Sequence, residues 1–136
     1  MPLNSQEKLF LEEWLEVADL DLSAAQRMLD DSPAAYGYLV AFAFQQAVEK
    51  YAKAVLLAHE KIFPKSHDLP DLLDKLAFAV SFSAAEAEDA DALAAYAVST
   101  RYPPKTRVTV AEMHDASRIA HHFAAKLRPL VLPALA

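Results

Sequence analysis

The chain has 136 residues, a length that fits one domain and can bury a sizeable core. Hydrophobic residues make up 54%, Gly occurs once and Cys is absent, which excludes disulfides, thiolate metal sites and a Gly-rich phosphate loop. A formal charge of −6 argues against broad electrostatic affinity for RNA or DNA but leaves room for a local basic site.

Read from its start, Met1-Pro2-Leu3-Asn4 lacks the basic and apolar regions of a signal peptide. Asn4 with Glu7 fits a capping box, in which two side chains satisfy free amides of the first helical turn. The spacing predicts a helix over about 5–30, with Phe10, Trp14, Val17, Ala25 and Met28 on its buried face and Glu12, Glu13 and Glu16 opposite. Ser32-Pro33 offers an N-cap followed by Pro at the first position of a second helix, about 33–61. Its apolar stripe is Val40, Phe44, Val48, Tyr51, Val55 and Ala58.

The stretch from Tyr36 to Ala58 is the most apolar long run, but Gln45, Gln46, Glu49, Lys50 and Lys53 interrupt it. Charges at that depth disfavour a membrane span, so a cytoplasmic protein is expected. Asp68 is placed to cap a shorter helix, about 69–80, that tolerates Pro70 in its first turn. Ser83 with Glu86 opens a fourth helix, about 84–99, whose acidic run Glu86, Glu88, Asp89 and Asp91 suits the positive end of the helix dipole. Thr109 with Glu112 opens a fifth, about 110–128, which buries Met113, Ala116, Ile119, Phe123 and Leu127. Breaks fall at Asp31-Ser32-Pro33, Phe63-Pro64, Ser81-Phe82-Ser83 and Tyr102-Pro103-Pro104. No strand pattern, repeat or linker is visible. The expected fold is all-α: an up-and-down four-helix bundle with an additional short crossover helix, in one domain over 1–136. The apolar tail, 129–136, is expected to fold back on the bundle or to cover a subunit interface.

Three stretches carry a family resemblance: Phe44-x-Gln46-Ala47-Val48-Glu49-Lys50-x-x-Lys53, then Phe63-Pro64-Lys65-Ser66-His67-Asp68-Leu69, then Arg101-Tyr102-Pro103. In that order and at that spacing the chain resembles the HEPN domain family, from about Leu9 to Leu127. The resemblance implies a helical domain that commonly dimerises and often has a nucleotidyltransferase-family partner, as in toxin–antitoxin and related two-component systems. The family contains RNA-cutting members and members that only bind.

RNA-cutting members carry an Arg, four to six intervening residues and a His near the start of the final helix. Arg107 and His114 fit, with six residues between them, whereas Arg101 has no His at that distance. Val108 stands where a polar residue often follows the Arg. In the paired dimers of toxin members the two motifs meet as an RNase cleft. An Arg can hold a scissile phosphate bidentately and a His can move the proton of an attacking 2′-hydroxyl, without metal or cofactor.

Independently of the family, His114, Arg118, His121 and Arg128 fall on one stripe opposite the core face of the last helix. With Arg107 upstream they are the densest cationic or protonatable set in an acidic chain. The alternative is an ordinary solvated face, or one that pairs with the acidic first helix. Gln46, Glu49, Lys50 and Lys53 share an arc of the second helix. That arc is either a solvated face with a Glu49–Lys53 pair or a site where Lys50 or Lys53 meets a phosphate or a partner's carboxylate. Arg101, at a helix C-terminus, either complements the dipole or joins a nucleotide- or RNA-binding surface. His67 reads as a structural hydrogen-bonder. His121 and His122 point about 100° apart, so they do not chelate one ion, and no metal is expected.

Three functions are open. One is a dimeric component of a nucleotidyltransferase-linked two-component system with metal-independent RNase activity. The alternative is a non-catalytic dimer that binds a nucleotide or a protein through Lys50, Lys53 and Arg101 or through the stripe of His114, Arg118 and His121. The third is a helical dimer with a purely structural role.

Overall fold

The computed structural model describes residues 2–62, 65–98 and 108–136. The helices are α1 (Ser5–Asp31), α2 (Pro33–Tyr36), α3 (Tyr38–Ala58), α4 (Leu69–Asp74), α5 (Ala84–Val98) and α6 (Val110–Leu127). Two 3₁₀ turns, Arg128–Leu130 and Leu132–Leu135, follow. The fold is all-α, built on the long helices α1, α3, α5 and α6, with the short α4 in the crossover from α3 to α5. No strand occurs among the described residues. The breaks expected at Phe63-Pro64 and at Tyr102-Pro103-Pro104 lie outside the described residues, as do Arg101 and Arg107.

Side-chain caps form where the sequence offers both halves of a capping box. Glu7 N–H donates to Asn4 at 2.8 Å, Glu86 N–H to Ser83 at 3.1 Å and Glu112 N–H to Thr109 at 3.1 Å, and each Glu accepts in return from the cap amide. Ser32 and Asp68 do not cap with their side chains. The Ser32 amide continues α1 by donating to Met28, and the Asp68 amide donates to the Ser66 hydroxyl at 3.0 Å. The expected 33–61 helix is broken at Gly37, whose φ of 54° and ψ of −130° are open only to glycine without strain. The expected 69–80 helix ends at Asp74, and the chain continues through tight turns that bury Leu76.

The centre of the fold is α3, which packs against α1, α4, α5 and α6. Its stripe from Val40 through Phe44, Val48, Tyr51 and Val55 is buried, and Ala58 packs at the core's edge. On α6 the buried face is Met113, Ala116, Ile119, Phe123 and Leu127, as its periodicity predicts. The face of α1 is different from the expected one. Leu11, Leu15, Ala18, Ala25 and Leu29 are buried, while Phe10 and Val17 are exposed and Trp14 and Met28 are half-buried. Both sets recur at helical spacing; the one that won lies a residue later, where it meets α3 and α6. The tail folds back: Val131 is buried, and Lys8 Nζ donates to the Ala136 carbonyl at 3.2 Å.

At the end of α3 the Lys61 amide donates to Leu56 and the Glu60 amide to Leu57, a Schellman closure. It holds Glu60 at a φ of 57°, which costs a residue with a Cβ about 1 kcal/mol or more. Glu60→Gly should therefore raise stability by about 0.5–1 kcal/mol, read from the midpoint of chemical denaturation.

Candidate functional site

Of the polar arc of α3, Glu49 and Lys53 are buried and Gln46 and Lys50 half-buried, because the helix packs against α1, α4, α5 and α6. Gln45, Glu49 and Lys53 are all nearly inaccessible. Lys53 Nζ lies 3.9 Å from the Glu49 carboxylate, and His67 Nδ1 lies 3.0 Å from its other oxygen. The His67 ring is otherwise open, so it closes the crossover over Glu49 in the structural role expected of it. Lys50 is ion-paired with Asp21 of α1, at the half-buried α1–α3 seam. Lys50 and Lys53 thus meet carboxylates of this chain.

The α6 stripe is tied inward at three of its four positions. Arg118 bridges both oxygens of Asp89 on α5, at 3.1 and 3.2 Å, and one oxygen of Asp115, at 2.9 Å. These bonds hold its guanidinium pKa above the usual arginine value, Asp89 first and Asp115 next. His121 Nε2 lies 3.0 Å from the amide oxygen of Gln26, which also accepts from Ser117 at 2.7 Å. Arg128 grips Asp19 with two bonds, at 3.0 and 3.1 Å, and the Tyr51 hydroxyl donates to the same carboxylate. Burial works to raise the Asp19 carboxyl, but the bonds from Arg128 and Tyr51 outweigh it and hold the group below its usual range. Burial and the Asp19 bond push the Tyr51 hydroxyl up. Pairing with α1 is the second of the two readings left open for this stripe, and it holds for His121 and Arg128.

His114 is the exception. It is exposed on the second turn of α6 and makes no hydrogen bond, ion pair or ring contact with the described residues. Arg107, its expected companion, and Arg101 belong to the segment outside the described residues.

Two hollows flank the Asp19–Arg128 pair. One, of about 370 Å³, is lined by Asp19, Leu22, Tyr51, His121, Arg128 and Leu132; the other, of about 340 Å³, includes Glu12, Glu16, Leu20 and Leu135. Among the described residues no three His, Cys, Asp or Glu side chains are grouped to hold a metal ion. No helix among them is long and apolar enough to cross a membrane.

A third cluster joins α5 to α6 and was not foreseen beyond its dipole role. Lys126 Nζ bonds both oxygens of Glu86 at 2.8 and 2.9 Å, and His122 Nε2 lies 2.7 Å from one of them. Lys126, the Ser83 amide and His122, in that order, lower the Glu86 carboxyl from 4.5 to about 2. A depressed folded-state pKa stabilises the fold above the unfolded value, and that stability is lost as pH falls from about 4.5 towards 2. Glu86→Gln keeps the capping geometry but not the charge. It should cost on the order of 1 kcal/mol at pH 6, allowing for solvent screening, and the gap from wild type should close on acidification. Denaturation at pH 6 and pH 3 checks this.

The HEPN domain family model matches residues 11–129. TT1696 from Thermus thermophilus is 28% identical and superposes with a TM-score of 0.76, over 88% of this chain and 97% of that one. ST0689, an archaeal HEPN homologue, shares the fold at 20% identity and a TM-score of 0.67, over 89% and 97%. Comparison with curated proteins finds no match. The matched span takes in the buried arc of α3, the His67 crossover and all of α6. This chain belongs to the HEPN domain family.

Proposed function

We propose that this HEPN domain acts as a homodimer in a nucleotidyltransferase-linked, toxin–antitoxin type system and cleaves RNA without a metal ion, in the cytoplasm. Arg107 binds the scissile phosphate. His114 takes the proton of the 2′-hydroxyl as its oxygen attacks phosphorus; the bond to the 5′-oxygen breaks, that oxygen takes a proton from water and departs as a 5′-hydroxyl, and a 2′,3′-cyclic phosphate remains. The observation that carries this reading is the state of α6. Arg118, His121, His122, Lys126 and Arg128 are all committed to partners inside the chain, and His114 alone of the helix's protonatable groups is exposed and unengaged among the described residues. Arg101, six residues before Arg107, would add backbone contact; Lys50, Lys53, Arg118 and His121 carry no part of the chemistry.

A second reading, a non-catalytic dimer that binds a nucleotide or protein, draws on the charge of −6 and on the neutralised Arg118 and Arg128. Incubating the purified chain with a mixed RNA pool in EDTA separates the two. Cleavage that Arg107→Ala abolishes supports the RNase; an intact pool, with the protein folded and dimeric, transfers the function to binding.

A further inference from the structure

The outer side of α1 carries apolar side chains that no described residue covers. Leu9, Phe10, Val17 and Leu20 are 57%, 50%, 41% and 59% exposed. They span three helical turns, about 16 Å. Leu9 and Leu20 fall on one row, Phe10 and Val17 on the next, and Glu13 and Glu16 stand between the leucines. Glu12, Glu13 and Glu16 have no ion-pair partner among the described residues. Most other carboxylates on α1 do have a partner: Asp19 meets Arg128, Asp21 meets Lys50 and Asp31 meets Arg27.

Four exposed apolar side chains interspersed with Glu12, Glu13 and Glu16, which have no ion-pair partner among the described residues, are complementary to a helix that mixes leucine-like residues with lysine or arginine on one face. It is poorly suited to a second copy of itself. Two α1 helices packed antiparallel about this stretch set Glu13 of each against Glu16 of the other, and like charges there are destabilising. We propose that the outer face of α1, from Leu9 to Leu20, docks a basic amphipathic helix of a different protein. The proposal deepens the partner element of the function above and rests on it; the RNA chemistry is independent.

Trp14, the single tryptophan, stacks edge-on with Phe10 at 6.3 Å and so reports on this face. The probe is a synthetic Leu/Lys amphipathic helix of about 18 residues, roughly five turns, titrated into the full chain while Trp14 emission and labelled-peptide anisotropy are followed. Binding should weaken about tenfold or more in Val17→Ser/Leu20→Ser and in Glu12→Gln/Glu13→Gln/Glu16→Gln. It should change less than about twofold in Glu88→Gln/Asp91→Asn, which removes exposed carboxylates from α5. Equal binding of a scrambled peptide of the same charge, or equal loss in the α5 variant, overturns the proposal as mere charge attraction. Conversion of a dimer to a monomer by Val17→Ser/Leu20→Ser also overturns it, because the face then belongs to a second copy. RNA cleavage that persists beside a failed titration sinks the docking surface alone, and an uncut pool beside a successful titration sinks only the RNase.

Discussion

His114→Ala should reduce RNA cleavage by about 10²–10⁴-fold, the range that a positioned proton-transfer group supplies. The same substitution should leave the thermal midpoint within about 1–2 °C of wild type, since the side chain is exposed and unengaged among the described residues. The contrast between the two readouts is what matters. A residue that only helped build α6 would lower both together. His122→Ala is the natural comparison, because His122 sits on the same helix but holds Glu86. It should cost stability on the order of 0.5–1 kcal/mol and leave the per-molecule cleavage rate within about twofold.

Glu49→Ala is expected to be among the most damaging single changes to the fold, at about 3 kcal/mol and a fall in thermal midpoint of about 10 °C. The carboxylate is almost wholly buried and faces both Lys53 and His67. Removing it takes away the carboxylate that Lys53 and His67 both face and frees the crossover that His67 closes. Glu49→Met combined with Lys53→Met should recover most of the loss, because apolar side chains of similar volume then replace the buried pair. A double variant as unstable as Glu49→Ala would contradict this account, and chemical denaturation of the three variants decides it.

The capping boxes at Asn4, Ser83 and Thr109 were legible because each is a local rule, complete within four residues. The buried face of α6 was legible because its apolar residues recur on one side only. On α1 two apolar rows compete, and periodicity names both without saying which meets α3. Burial of Glu49 and Lys53 was hidden for a related reason. A polar arc looks solvated until the helix carrying it is known to be central, and centrality is a property of topology that no window of sequence holds. Gly37 was hidden too, because a single glycine inside a helical pattern is compatible with continuation, and only its positive φ makes it a break. The cross-helix partners of the stripe, Asp19 and Gln26, lie about 90–110 residues from Arg128, Ser117 and His121, so no spacing rule reaches them. His114 was legible through the family resemblance, and its lack of intrachain partners distinguishes it from its neighbours.

The central claim is that His114 serves an attack by the 2′-hydroxyl of RNA. The most direct measurement is a single-turnover assay in EDTA on one RNA and on the same sequence with deoxyribose throughout. The account predicts that the RNA is cut to products ending in 2′,3′-cyclic phosphate and that the deoxy strand stays whole. Cleavage of both strands, or of neither by a folded dimer, would contradict it.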